Sequence, residues 1–163
     1  MLCFDVLLSF HNAMHSSSSA PTEPPASDQP VILGFDPGRR KCGLAVLGVD
    51  RTLRYHQVVE AETAIDTIQA LRRQFPISLL IMGDQTTAKD WKQKLGQAFT
   101  DPLRIIMVDE RHSSLEARDR YWQMYPAQGL TSLIPQSFRT IPRPIDDIVA
   151  ILLIERYLER LVN

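Results

Sequence analysis

The stretch Val31-Ile32-Leu33-Gly34-Phe35-Asp36-Pro37-Gly38-Arg39-Arg40-Lys41-Cys42-Gly43-Leu44-Ala45-Val46 decides the fold. Its apolar opening, rich in branched residues, reads as a buried strand. That strand ends on Asp36. Pro37-Gly38 is a turn signal, three cations follow it, and a second apolar run from Cys42 to Val49 returns the chain. The pattern is a hairpin with an acid at the end of its first strand and a basic tip. A carboxylate at the end of a buried strand is costly unless something compensates it, and a bound cation is one such compensation.

Upstream, residues 15–30 are dominated by serine and proline. Such a composition cannot offset the entropy of ordering the backbone, so residues 1–29 read as a disordered extension and linker and residues 30–163 as the folded domain. Met1 to Phe10 is apolar but lacks the basic start and cleavage pattern of a secretory signal.

Downstream, Gly48 to Arg51 make a tight connection to a third strand, about Thr52 to Val58, and an antiparallel meander is the economical arrangement. The period then becomes helical through Ala61, Ala64, Ile65, Ile68, Leu71 and Phe75. Pro76 stops that helix. Ile77 to Met82 reads as a central parallel strand and ends at Gly83-Asp84. Thr87 is placed to cap a second helix carrying Trp91, Leu95, Ala98 and Phe99. Arg104 to Val108 is a fifth strand, ending on Asp109-Glu110. Ser113 followed by Glu116 is a capping-box pattern for a helix through about Trp122. Periodicity is lost from Tyr125 to Pro144, and a last helix runs from Ile145 or Asp146 to Leu161. The order predicts an α/β layered domain with a mixed five-stranded sheet, three strands in an antiparallel meander and two parallel, flanked by helices.

The 163 residues include 44% apolar types and carry a formal charge of -1. Residues 1–30 hold three acids and no Lys or Arg, which leaves 18 basic residues against 16 acids in the remainder, about +2. That is weak support for a polyanionic partner. No apolar run reaches the length of a membrane span. The two cysteines, Cys3 and Cys42, fit neither a zinc site nor a disulfide framework, so a reduced, cytoplasmic protein with no membrane partner is expected.

The acids fall at element ends: Asp36 after strand 1, Asp84 after strand 4, Asp109 and Glu110 after strand 5, and Asp146 and Asp147 at the start of the last helix. With strands 1, 4 and 5 adjacent, their carboxyl ends share one edge, where open α/β sheets bind ligands. Converging carboxylates cannot all remain ionised without a cation. Hard oxygen ligands point to Mg2+ or Mn2+, and two such ions roughly 4 Å apart suit phosphodiester hydrolysis.

Three segments carry a family resemblance: Gly34 to Val46, Val108-Asp109-Glu110-Arg111-His112-Ser113-Ser114-Leu115-Glu116-Ala117, and Ile145-Asp146-Asp147-Ile148-Val149-Ala150. Together they resemble the RNase H-like superfamily, and within it the Holliday-junction-resolvase-like proteins, above all the branch implicated in trimming precursor 16S ribosomal RNA. The resemblance spans about residues 31 to 161. It implies a metal-dependent endo- or exonuclease with Asp36, Glu110 and Asp146 as metal-binding catalytic acids, Asp84, Asp109 and Asp147 being additional acids. Asp146 and Asp147 remain alternatives for the third ligand, with Asp146 preferred. Arg39, Arg40, Lys41, Arg111, Arg139 and Arg143 are candidates for the phosphate backbone. The partner is then structured RNA or branched DNA, and the protein a monomer or, as a junction resolvase, a homodimer. A nucleic-acid-binding module without turnover is the rival of a different class. Trp91, Trp122 and Tyr125 read as packing residues ahead of base-stacking ones.

Overall fold

Branched and aromatic residues set the strands. The structure, a computed structural model, describes residues 29–162 except Thr86. The extension expected over residues 1–29 therefore lies, but for its last residue, outside the described residues. Strands β1 (Val31–Asp36), β2 (Lys41–Gly48) and β3 (Leu53–Glu60) form the meander. They are followed by α1 (Ala64–Gln74), β4 (Ile77–Gly83), α2 (Ala88–Ala98), β5 (Ile105–Val108) and α3 (Ser113–Met124). Two short 3-10 helices, Gly129–Leu133 and Gln136–Phe138, lead into α4 (Asp146–Val162).

The sheet order is β3-β2-β1-β4-β5. β1 pairs antiparallel with β2, Asp36 opposite Gly43, and parallel with β4, Phe35 opposite Met82. β4 pairs parallel with β5, Gly83 opposite Val108. This is the mixed sheet of an RNase H-like α/β fold.

Both faces of the central strands are covered, which is why β1 reads as an unbroken apolar run. Successive side chains alternate between faces. Leu33 and Phe35 join Leu44, Ile68, Leu80, Trp91 and Leu95 in the core beneath α1 and α2. Ile32 joins Ala45, Ile81, Ile148, Ile151 and Ile154 in the core beneath α3 and α4. Phe35 meets Trp91 edge to face, ring centroids 5.1 Å apart, a geometry that aromatic quadrupoles favour.

Two caps expected from the sequence are not made. Ser113 is the first residue of α3, and the preceding position is His112, left-handed at φ 63° with no side-chain cap. The backbone reverses there, so the serine enters the helix one position late for a capping box. Thr87 precedes α2 but does not cap it; its hydroxyl donates to the Pro37 carbonyl oxygen instead.

Candidate active site

Three strand ends and one helix start supply the acids. Asp36 closes β1, and Asp84 directly follows β4. Glu110 lies two residues beyond β5 and is 5% exposed. α4 begins on Asp146, whose backbone passes so close to Gly43 that a Cβ there would overlap the Asp146 carbonyl. Gly43 faces Asp36 across the sheet, so the absence of a side chain at Gly43 lets the start of α4 approach the Asp36 strand end.

Asp36 and Glu110 share a side-chain hydrogen bond, and Asp146 is near enough to act on Asp36 electrostatically. Burial, then the hydrogen bond and charge of Glu110, then the charge of Asp146 push the Asp36 carboxyl up to about 9. The direction is that of a carboxyl that resists ionising while no cation is beside it. Gly83 makes room for the pair: a Cβ there would stand 2.5 Å from a Glu110 carboxylate oxygen.

Several groups hold this edge in place. The Trp91 indole N–H donates to the Gly38 carbonyl at 3.1 Å, beside the Thr87 bond to Pro37, so α2 fixes the turn after Asp36. Arg156 of α4 donates to the backbone carbonyls of Asp109 at 2.6 Å and Arg111 at 2.9 Å and to Glu116 at 2.8 Å. It thereby fixes the loop carrying Glu110. The Asp84 carboxylate accepts the Glu110 backbone N–H at 3.3 Å. The Cys42 thiol is buried and pushed up to about 11, chiefly by burial, so it is an inert packing group.

The remaining candidates separate. Asp147, 2% exposed, is taken up by other partners: it accepts from His56 Nδ1 at 2.6 Å and from Arg143 at 2.9 Å. Asp109 is held below the usual carboxylate range, first by the Arg111 backbone N–H, and pairs with the Arg111 side chain at 3.0 Å. Arg139 donates to the Ile134 carbonyl at 2.7 Å and the Ser132 carbonyl at 3.1 Å. Arg143 lies over Tyr121 and Tyr125. These two arginines are thus engaged within the protein. Arg39, Arg40 and Lys41 are exposed, and among the described residues no side chain pairs with theirs. Trp122 and Tyr125 pack against Tyr121.

Sequence reasoning missed His56, Thr87 and Arg156 as site-building residues. His56, on another segment of the chain, carried no local signal, and the signal at Thr87 was that of a helix cap, not of a bond to the turn after Asp36. Arg156, on the helical pattern of α4, had only the signal of a cation within a mostly apolar helix.

Among the described residues no three His, Cys, Asp or Glu side chains are arranged to hold a metal ion. Asp36 and Glu110 form a pair, with Asp146 beside them. The donor chemistry fits a hard divalent cation: oxygen ligands only, with the Asp36 carboxyl pushed up by burial and by the neighbouring acids, where positive charge is needed. A cation there would favour the ionised form of Asp36.

This topology, with acids at the carboxyl edge of β1, β4 and β5, is that of the RNase H-like superfamily. No family model matches the chain. A "Putative pre-16S rRNA nuclease" of Xylella fastidiosa (strain M23) is 34% identical over 107 residues, covering 56% of this chain and 67% of the relative. One of the same name from Xanthomonas oryzae pv. oryzae (strain PXO99A) is 32% identical over 104 residues, with the same coverage. The chain belongs to the pre-16S rRNA nuclease family. Among solved structures, T. thermophilus RuvC in complex with Holliday junction substrate is similar in fold, with a TM-score of 0.53 at 13% identity, covering 82% of this chain and 96% of that one. No helix among the described residues is long and apolar enough to cross a membrane.

Proposed function

We propose that the protein is a metal-dependent nuclease that hydrolyses phosphodiester bonds of structured nucleic acid, acting in precursor ribosomal RNA processing. The observation that carries this reading is the Asp36–Glu110 pair, with Asp146 beside it and, among the described residues, no protein cation neutralising it, in a member of the pre-16S rRNA nuclease family. Asp36, Glu110 and Asp146 would hold Mg2+ or Mn2+. When bound, the ion would supply the positive charge that lets Asp36 ionise beside Glu110 and Asp146 and would stabilise charge developing on the phosphate. Gly83 and Arg156 keep Glu110 in reach of Asp36, while Thr87 and Trp91 keep the turn after Asp36 from shifting. The exposed tip Arg39-Arg40-Lys41 engages the phosphate backbone, giving affinity without sequence readout.

The test is cleavage of a precursor-type RNA and of a four-way DNA junction by the full chain with Mg2+ and with Mn2+. Cleavage of the RNA, lost about a thousandfold or more in Asp36→Asn, is the expected result. Cutting of the junction alone, by a dimer, would move the protein to the resolvases. One observation favours a binding module without turnover: the three acids are not arranged as a ready metal site. Salt-sensitive binding without cleavage, unchanged in Asp36→Asn, would select that reading.

A further inference from the structure

Asp146 opens onto a second feature that the acid chemistry does not use. A cavity of about 510 Å3 runs from Asp146 to Arg118 and Phe138, with Thr140 and Arg143 in its wall. Its size falls in the range of small-ligand sites. Phe138 is 79% exposed, although it sits on a tied-down segment. The Phe138 N–H donates to Pro135 at 2.9 Å, Gln136 donates to Asp119 at 2.9 Å, and Arg139 clamps the carbonyls of Ser132 and Ile134. An aromatic ring held in water by its own hydrogen-bonded loop serves no packing purpose. Arg118 is exposed, and among the described residues nothing pairs with its side chain. The wall thus combines an apolar ring, an unpaired cation and a hydroxyl with the guanidinium groups of Arg139, held by carbonyls, and Arg143, paired with Asp147.

We propose that this cavity is a nucleotide subsite, in which an unpaired base of the substrate stacks on Phe138 while Arg118 takes the adjoining phosphate. The proposal rests on the nucleic-acid reading above and adds that the strand entering at Asp146 is single there. Charge selects this occupant: Arg118, which has no partner among the described residues, and Arg139, whose partners are neutral carbonyls, leave positive charge in the wall that suits a polyanion led toward a reacting centre. Aromatic rings bind bases of any sequence through their π-faces, whereas a paired duplex keeps its bases stacked on each other. Leu130 and Leu133, also exposed, do not line the cavity.

The experiment is fluorescence anisotropy with the full chain in EDTA, so that nothing is cut, using a labelled single-stranded RNA and the same RNA annealed to its complement. The wild type should bind the single strand more tightly. Phe138→Ala should weaken single-strand binding by about 5- to 100-fold and leave duplex binding unchanged, and Phe138→Trp should restore it. Absence of a single-strand preference in the wild type, or equal losses on both RNAs in Phe138→Ala, would overturn the subsite. So would a dimer that Phe138→Ala converts to a monomer with single-strand affinity intact, which would assign the ring to a second copy of the chain. The nuclease reading fails separately. A protein that never cuts, yet shows the Phe138-dependent preference, keeps the subsite, and a protein that cuts with no such dependence loses the subsite alone.

Discussion

Asp146 and Asp147 are neighbours in the first turn of α4, yet the protein treats them oppositely. Asp147 is buried, and both of its oxygens are taken, one by His56 from β3 and one by Arg143 from the preceding loop. Asp146 stands beside Asp36 and Glu110, where the described residues supply no cation and the Asp36 carboxyl is pushed up to about 9, first by burial and then by its acidic neighbours. The carboxylate that serves the fold is neutralised by the chain's own Arg143 and hydrogen-bonded to His56. Carboxylates left to repel one another raise the energy of the ion-free protein, and that cost fits a site whose positive charge comes from outside. The difference also sets the two acids of the Asp-Asp pair in different surroundings. Asp147 anchors the helix start, and the anchored start delivers Asp146.

Breaking the neutralised side should have the largest effect on stability. His56→Ala combined with Arg143→Ala leaves Asp147 buried and unpaired, and urea unfolding should show a loss of about 3–5 kcal/mol. If the double variant were as stable as the wild type, Asp147 would not be the anchor.

At Gly43, a methyl group meets the Asp146 backbone, which has nowhere to go without moving α4. Gly43→Ala should cost about 1–3 kcal/mol in the same assay. At Gly83 the obstacle is the movable end of Glu110. Gly83→Ala should therefore leave the fold near wild-type stability while turnover falls, on the order of a hundredfold if Glu110 shifts by about 1 Å. Equal effects of the two substitutions on stability would contradict this division.

The open side should show itself in pH dependence. Asp36 has a raised carboxyl in the folded protein, so the folded state binds more protons than the unfolded one between the ordinary value of 3.8 and about 9. Stability contributed by that proton is present at low pH and lost as pH rises through this window. Asp36→Asn should remove the slope and raise the melting temperature near pH 8, by roughly 2–4 °C for each kcal/mol relieved. Mg2+ or Mn2+ should stabilise the wild type and not the variant. A melting temperature that rose with pH across the window would reverse the sign and refute the account.

The basic tip should give the smallest change. Replacing Arg39, Arg40 and Lys41 by alanine should leave stability unchanged and reduce the salt dependence of RNA binding, by about 0.7 in log–log slope for each phosphate no longer neutralised. An unchanged slope would place the phosphate-binding cations elsewhere.

The strands and helices were legible because their cause is local. A continuous apolar run between turn residues must be buried on both faces, and Val31 to Phe35 and Leu79 to Met82 are so buried. The five-stranded mixed sheet followed from their order. The capping box at Ser113 was misread because the left-handed His112 shifts the helix start, a conformation no residue type there demands. Thr87 has the chemistry of a cap, but its hydroxyl found the Pro37 carbonyl, fifty positions away in the chain.

The sequence by itself determined which residues can bear charge at element ends, and that Asp36, Glu110 and Asp146 or Asp147 end or begin elements of one sheet edge. It could not say which of Asp146 and Asp147 stands beside Asp36 and which is paired within the protein, nor that Arg139 and Arg143 are engaged by the protein itself while Arg39 to Lys41 face solvent. Only the tertiary structure decided those, because a carboxylate's state depends on which distant groups the fold brings to it. His56 lies 91 positions from Asp147, and Glu110 lies well beyond Asp36 in the chain. Periodicity reports what a residue does to its own helix or strand, whereas burial and pairing across such separations depend on how the elements pack.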